Sequence, residues 1–596
     1  MRSCTVAGGK GHLSVAGGAK RRAVGAIFAA TCAALAVTSC TANPPPPIES
    51  TETPKTEPAV PTRNTIVVAI DEVGEGFNPH LLANQSPASA AVAALVLPSP
   101  FRPVVPENNA SAWVPDNSVV VSAEVTSQEP FTITYQLRPE AQWSDGAPIA
   151  AEDFRYLWQQ MINDPGVVDP AGYDLIADVN SSGGGKTVTV TMAAPYPAWR
   201  ELFTDLVPSH LLKDALGGFE RGLSDNIAVS GSRFHIKSVD RGRDEILLER
   251  NDRFWDEPAK PDQVLMRRGG SSAQLADSMR SNDVQVAEVH GGSATRAQLS
   301  AIPGVRTAVM AQPRVLQVAL NARTGALADP RVRTALFGLL DPDLLTSVGA
   351  DTAAAVQPAR AQVLAPSDPG YAPTMPPRPT GQAAFDLLAE SGFRADAPAP
   401  TTTAPTTPPS VSAPLARAGE RLSVRIGAPQ DDATALAVAN TAADQWRGAG
   451  VDVTVREIAP DDLYGSELLE GKIDAVVGWV RAGGDPATAL ASRFGCPAPV
   501  AAGSASDDRA PADDTPTPAP NGATPNPTAP AAAGQSAKAP SNLSGICDPA
   551  LQVGIDNALR GIGDVPAAIA AAEPALWRLA AVMPVLQDAS VVAAGP

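Results

Sequence analysis

The chain has 596 residues, 44% of them hydrophobic, 18% charged and only 5% aromatic, with 59 prolines and 48 glycines. A formal net charge of -18 argues against nucleic acid as a partner, because phosphate binding needs clustered Lys and Arg. The length predicts several domains, and the proline and glycine content predicts unfolded segments beside globular ones.

At the N-terminus, Arg2, Lys10, Lys20, Arg21 and Arg22 precede the uncharged run "AVGAIFAATCAALAV" at 23–37. That run is too short to span a bilayer as a helix of about 20 residues. Small residues Thr38 and Ser39 then lead into Cys40. Residues 1–39 read as a secretory signal peptide. A cysteine directly after the cut resembles the bacterial lipobox, so Cys40 is expected to carry lipid; Cys32 fits less well, with Ala29 three residues upstream. Residues 40–63 follow as the lipidated cysteine and a Pro- and Thr-rich stalk, semi-extended where it holds polyproline II geometry. Beyond the signal no apolar run of about 18 residues remains, so the membrane is expected as a partner only through the anchor.

From residue 64 strand and helix signals alternate. "NTIVVAI" (64–70), "FTITYQL" (131–137), "KTVTVTM" (186–192), "EILLER" (245–250) and "VLQVAL" (315–320) are β-branched runs of strand length. Helical spacing marks "SPASAAVAALVL", "AEDFRYLWQQMIN", "PRVRTALFGLL", "GQAAFDLLAESGF" and "ALAVANTAADQWRGAG". "LSVRIGA", a helix and "GVDVTVREI" form a strand–helix–strand unit that predicts a parallel crossover. The mixture predicts α/β domains with parallel and antiparallel strands. Two Pro/Ala/Thr-rich stretches, 395–418 and 496–546, are expected as disordered loops, because neither buries enough apolar surface to offset its ordering entropy.

"GGGKT" (183–187) leads into a strand rather than a helix and predicts a hairpin turn, not a phosphate loop. There is no G-x-S-x-G and no H-E-x-x-H, and His12, His80, His210, His235 and His290 are scattered, so no catalytic residue is assigned. With the signal removed and Cys40 lipidated, Cys496 and Cys547 form an even pair, expected as a disulfide outside the cytoplasm. Neither has a histidine near it, so no metal and no cofactor are expected.

"YQLRPEAQWSDGAPIAAEDFRYLWQQM" (135–161), "NDRFW" (251–255), "LADPRVRTALFGLLDPDLL" (327–345), "SDPGY" (367–371), "AAFDLLAESGF" (383–393) and "KIDAVVGWVRAGGDP" follow in fixed order. That series resembles the solute-binding proteins of family 5, the peptide- and nickel-binding subunits of ABC transporters. The resemblance implies a two-lobed periplasmic-binding-protein-like fold of type II with mixed sheets. It divides the chain into lobe I with the family's extra subdomain (64–330), mainly lobe II (331–495, interrupted by 395–418), the loop 496–546 and a C-terminal return to lobe I (547–596).

Peptide-binding members carry an aspartate three residues after the tryptophan of "GW". Here Ala482 stands there beside Arg481, which turns the local preference toward an anion. Trp479 and Arg481 are therefore ligand candidates, joined by Asn321 after "VLQVAL" and by Asn78 and His80 in "GFNPHLL". Arg331 and Arg333 are expected on different helix faces, in surface or hinge ion pairs. "AEVHGGSA" and "AAVMPVLQDASVVAAGP" resemble a lipoprotein branch of the family linked to cell-wall glycolipid assembly. That likeness implies mannosylated phosphatidylinositol as ligand, a regulatory role in lipoarabinomannan biosynthesis and a membrane mannosyltransferase as partner. The rival is an importer subunit serving an ABC permease with peptides or another small solute.

Overall fold

The computed structural model describes residues 64–104, 112–323, 325–350, 356–395, 413–496 and 541–595. The expected signal peptide, Cys40 and the stalk lie outside them. Ten strands build the principal sheet: β1 (Thr65–Ile70), β2 (Phe234–Asp240), β3 (Glu245–Arg250), β4 (Gln263–Arg268), β5 (Val286–Val289), β6 (Arg306–Leu320), β7 (Ser423–Pro429), β8 (Asp452–Ile458), β9 (Ala475–Arg481) and β10 (Val582–Ala594). Their spatial order is β8-β7-β9-β6-β10-β5-β1-β4-β3-β2, with a short strand at Gln357–Pro358 added beside β10. Pairing is parallel for β1 with β4 and β5 and for β7 with β8 and β9, and antiparallel elsewhere along the path. The sheet is mixed, as the sequence predicts.

The longer helices include α1 (Pro87–Val96), α2 (Ala151–Asn163), α3 (Pro330–Gly338), α4 (Ala433–Gly448), α5 (Pro486–Phe494), α6 (Pro549–Leu559) and α7 (Val565–Leu579). A separate sheet of four antiparallel strands runs through Val120–Gln128, Phe131–Leu137, Thr187–Met192 and Ile176–Ser182. In "FTITYQL" alternate residues are buried, which is the period a one-sided strand requires. The glycines at 183–185 form the turn between Ile176–Ser182 and Thr187–Met192, all with positive φ. Lys186 donates to the carbonyls of Ala141 and Ile149 instead of waiting for a phosphate.

Family-like motifs have structural duties. In "WSDG", Asp145 accepts from Ala147 N at 3.0 Å and Gly146 takes φ 100°, closing a turn. Asp153, in the first turn of α2, accepts from Ala150 N at 3.0 Å and from Ser209 Oγ at 2.7 Å. Arg331 pairs with Asp329 at the surface, 2.8 Å away. Arg333 departs from the expected ion pair: it is 2% exposed and donates to the carbonyls of Leu327, Ala328 and Leu579. Its position inside the α3 packing face leaves only backbone oxygens within reach, among them the last carbonyl of α7.

The ends of both expected loops are ordered where apolar side chains find cover. Leu415–Arg417 is a strand with Leu415 and Ala416 buried, paired to Arg394–Ala395. Residues 541–546 form a turn tied down by Ser541 Oγ to the Ser492 carbonyl and by Arg323 to the carbonyls of Asn542 and Leu543. Cys496 and Cys547 are joined by a disulfide across 51 positions of sequence. In the stretch 547–596, α6 and α7 pack with α5, and only the far end of β10 pairs with β5.

Candidate functional site

β6 and β10, of 15 and 13 residues, run side by side through the middle of the sheet. Their register slips between Ala311 and Val315 and again between Leu316 and Gln317. An irregularity of this kind bends a strand and re-aims its side chains. At the slip, Arg314 Nε donates to Asp588 Oδ2 at 2.6 Å, and Asp588 is almost fully buried.

His290, just beyond β5, completes the arrangement. Its Nε2 lies 2.8 Å from Asp588 Oδ1 and its Nδ1 lies 2.7 Å from Asp71 Oδ2. A carboxylate at each ring nitrogen requires a proton on both, so the ring is an imidazolium. Burial opposes that charge, but the hydrogen bonds and charges of Asp588 and Asp71 outweigh it and raise the pKa to about 10. Burial likewise disfavours the Asp588 carboxylate, yet His290 and Arg314 hold its pKa near about 2.

The contacts continue across the sheet. The Arg314 guanidinium sits 4.3 Å from the centre of the Trp479 ring, a cation–π distance. Trp479 Nε1 donates to Asp432 Oδ2 at 2.6 Å, while Asp432 Oδ1 caps α4 through Ala435 N. One chain of side chains thus runs from Asp71 after β1, through His290, Asp588, Arg314 and Trp479, to the start of α4.

A pocket of about 70 Å³ opens beside this chain. Its polar wall is Asp71, Glu72, Glu288, His290 and Arg314, its apolar wall includes Val68, Ile70 and Met266, and the first turn of α1 lines the remainder. Glu288 Oε1 accepts from Gln312 Nε2 at 2.8 Å. Glu72 has no hydrogen-bond partner among the described residues. Burial, with Asp432, Asp71 and Asp244 nearby, pushes its pKa up, and Arg314 offsets part of that rise. Glu75 is raised in the same way, by burial and by Asp431.

The sequence-derived candidates are distributed unevenly around this site. Register places Arg481 directly opposite Arg314 on the neighbouring strand. The Arg481 guanidinium has no ion pair or hydrogen bond among the described residues; its charge acts on Glu201, Tyr173 and His80. Trp479 is 7% exposed, with one ring face under Arg314, so it is a support for that guanidinium more than an open platform. His80 is buried and its Nε2 donates to the Asp205 carbonyl at 2.9 Å; burial lowers its pKa and keeps it neutral. Asn78 donates to the Phe219 carbonyl and accepts from His80 N, closing a turn. Asn321 lies at the other end of β6, where it donates to the carbonyls of Leu468 and Ile473.

Asp71, His290, Arg314 and Asp588 were not legible as a group. The one signal was that "AEVHGGSA" and "AAVMPVLQDASVVAAGP", apart in sequence, supply Glu288, His290, Asp588 and Ser590 to the same place. Among the described residues no group of three or more His, Cys, Asp or Glu is arranged to hold a metal ion, and no helix there is long and apolar enough to cross a membrane.

Comparison with known proteins bears on this geometry. The profile "Bacterial extracellular solute-binding proteins, family 5 Middle" matches residues 109–499. The chain is 52% identical over 597 aligned positions to a protein of Mycobacterium tuberculosis (strain ATCC 25618 / H37Rv). That relative is named "Probable monoacyl phosphatidylinositol tetramannoside-binding protein LpqW", and the match covers 96% of this chain and 94% of the relative. Among solved structures, the Escherichia coli murein tripeptide binding protein MppA superposes with TM-score 0.61 at 18% identity, covering 90% of this chain and 94% of that one. The oligopeptide-binding protein AppA of Bacillus subtilis, in complex with a nonapeptide, gives TM-score 0.61 at 14% identity, with coverage of 89% and 95%. These two likenesses concern the fold alone.

Proposed function

The chain belongs to the bacterial extracellular solute-binding proteins of family 5, and from that premise we propose that it binds a mannosylated phosphatidylinositol at the extracytoplasmic face of the membrane. The observation that carries this reading is the 52% identity, over nearly the whole chain, to the relative named for binding a monoacyl phosphatidylinositol tetramannoside. Cys40 supplies the lipid anchor, and binding serves to regulate the passage of phosphatidylinositol mannosides toward lipoarabinomannan, with a membrane mannosyltransferase as partner. The half-buried guanidinium of Arg481, unpaired among the described residues, supports the reading, because it can make charge-assisted bonds to a phosphodiester.

Titration of the detergent-solubilised full chain tests this. A phosphatidylinositol mannoside in mixed micelles is expected to bind saturably, and oligopeptides are expected to give no saturable heat. Micromolar peptide binding with no response to the mannolipid overturns the reading and leaves an importer subunit for an ABC permease.

A further inference from the structure

The pocket beside His290 and the Arg481 side chain on β9 offer opposite chemistry to a ligand. In the pocket both cations are already engaged. His290 lies between Asp71 and Asp588, and Arg314 is held by Asp588, by the Gln85 carbonyl at 3.2 Å and by the Trp479 ring. Acceptors, by contrast, are in surplus. Among the described residues Asp71 accepts only through Oδ2, Glu288 through one oxygen and Glu72 through neither. A phosphate entering here meets three carboxylates and no unpaired cation. A group that donates hydrogen bonds without negative charge meets three acceptors over the apolar surface of Val68, Ile70 and Met266. The volume of about 70 Å³ has room for about five water-sized groups, one edge of a single sugar ring.

We infer that this pocket takes the hydroxyl edge of one mannosyl ring, with Asp71, Glu72 and Glu288 as acceptors, while the phosphate stays outside it at Arg481. The inference rests on the mannolipid reading for the identity of the sugar. What it adds is a polarity: sugar on the β1–β5 side of Arg314, phosphate on the β9 side. Hydroxyl-to-carboxylate bonds are charge-assisted, so each acceptor contributes measurably to affinity.

A three-ligand titration of the full chain separates the two ideas, using a mannobiose, inorganic phosphate and the intact mannolipid. Mannobiose alone is expected to saturate the wild type at millimolar concentration and to lose about tenfold in affinity in Glu72→Gln, the equivalent of one charge-assisted bond. Glu72 makes no hydrogen bond among the described residues, and burial with Asp432, Asp71 and Asp244 disfavours its charge, so that variant is expected to unfold at or above the wild-type denaturant midpoint. Arg481→Ala is expected to leave mannobiose binding alone and to weaken the mannolipid, and inorganic phosphate is expected not to displace mannobiose. Absence of saturable mannobiose binding, displacement by phosphate or a tripeptide, or equal affinity in wild type, Glu72→Gln and Glu288→Gln overturns the pocket assignment. If the intact mannolipid still binds in that case, the functional reading survives without this pocket.

Discussion

Arg314 and Arg481 face each other on adjacent strands, yet their surroundings differ in kind. Arg314 is fixed by a buried carboxylate, a carbonyl and an indole ring, whereas the Arg481 guanidinium has only electrostatic neighbours among the described residues. An arginine's capacity to hold a ligand can be judged only once its partners are counted. A saturated guanidinium maintains architecture; an unsaturated one has bonds left to give to a ligand.

Asp588 and Arg481 are expected to differ most in what they contribute to stability. Asp588→Ala removes the buried carboxylate that the partly exposed His290 and Arg314 share and is expected to cost about 1.5–3 kcal/mol in denaturant unfolding. Arg481→Ala is expected within about 0.5 kcal/mol of wild type in the same experiment. A small loss at Asp588 equal to that at Arg481 means the two sites are not different in kind. The ligand reverses the ranking: Arg481→Ala is expected to weaken mannolipid binding by about 1.5–3 kcal/mol in a calorimetric titration.

A smaller effect sharpens the role of Trp479. Trp479→Phe keeps a ring under Arg314 and deletes the 2.6 Å bond to Asp432, so a loss of about 1 kcal/mol in stability is expected. The network also predicts a pH profile. His290 has a folded pKa raised to about 10, so its contribution is complete below its ordinary value of 6.5 and is lost as pH rises through 10. Asp588 is depressed to about 2, so its contribution is present above its ordinary 3.8 and is lost as pH falls through 2. Urea midpoints measured from pH 5 to 10.5 are therefore expected to decline on the alkaline side. That part of the decline should disappear in His290→Asn, and an unchanged alkaline limb in the variant removes His290 as its source.

Much of the scaffold was legible because local rules sufficed. "FTITYQL" alternates because one face of its sheet is buried, and "WSDG" turns because Asp145 and Gly146 supply the required bond and φ. The cation at Arg481 could also be read, as a departure from a motif. The pocket could not. Asp71 and His290 meet through the pairing of β1 with β5, Arg314 and Asp588 meet where β6 slips against β10, and no periodicity in either of the latter strands encodes that slip. Arg333 was misread for a related reason. Its helix face was foreseeable, but that the face packs on carbonyls of Leu327 and Leu579 depends on tertiary contact. Composition overextended both loops, since Leu415 and the turn at 541–546 find cover that composition does not reveal.

The disulfide between Cys496 and Cys547 has a topological meaning that outlasts the peptide backbone around it. The central strand β10 follows the bridge, and the sheet it completes precedes it. A protease cut anywhere from 497 to 540 therefore yields two polypeptides that remain one molecule, with β10 still seated between β6 and β5. Such a nick should be silent in a non-reducing gel and in a binding titration, and visible only once a reductant separates the pieces.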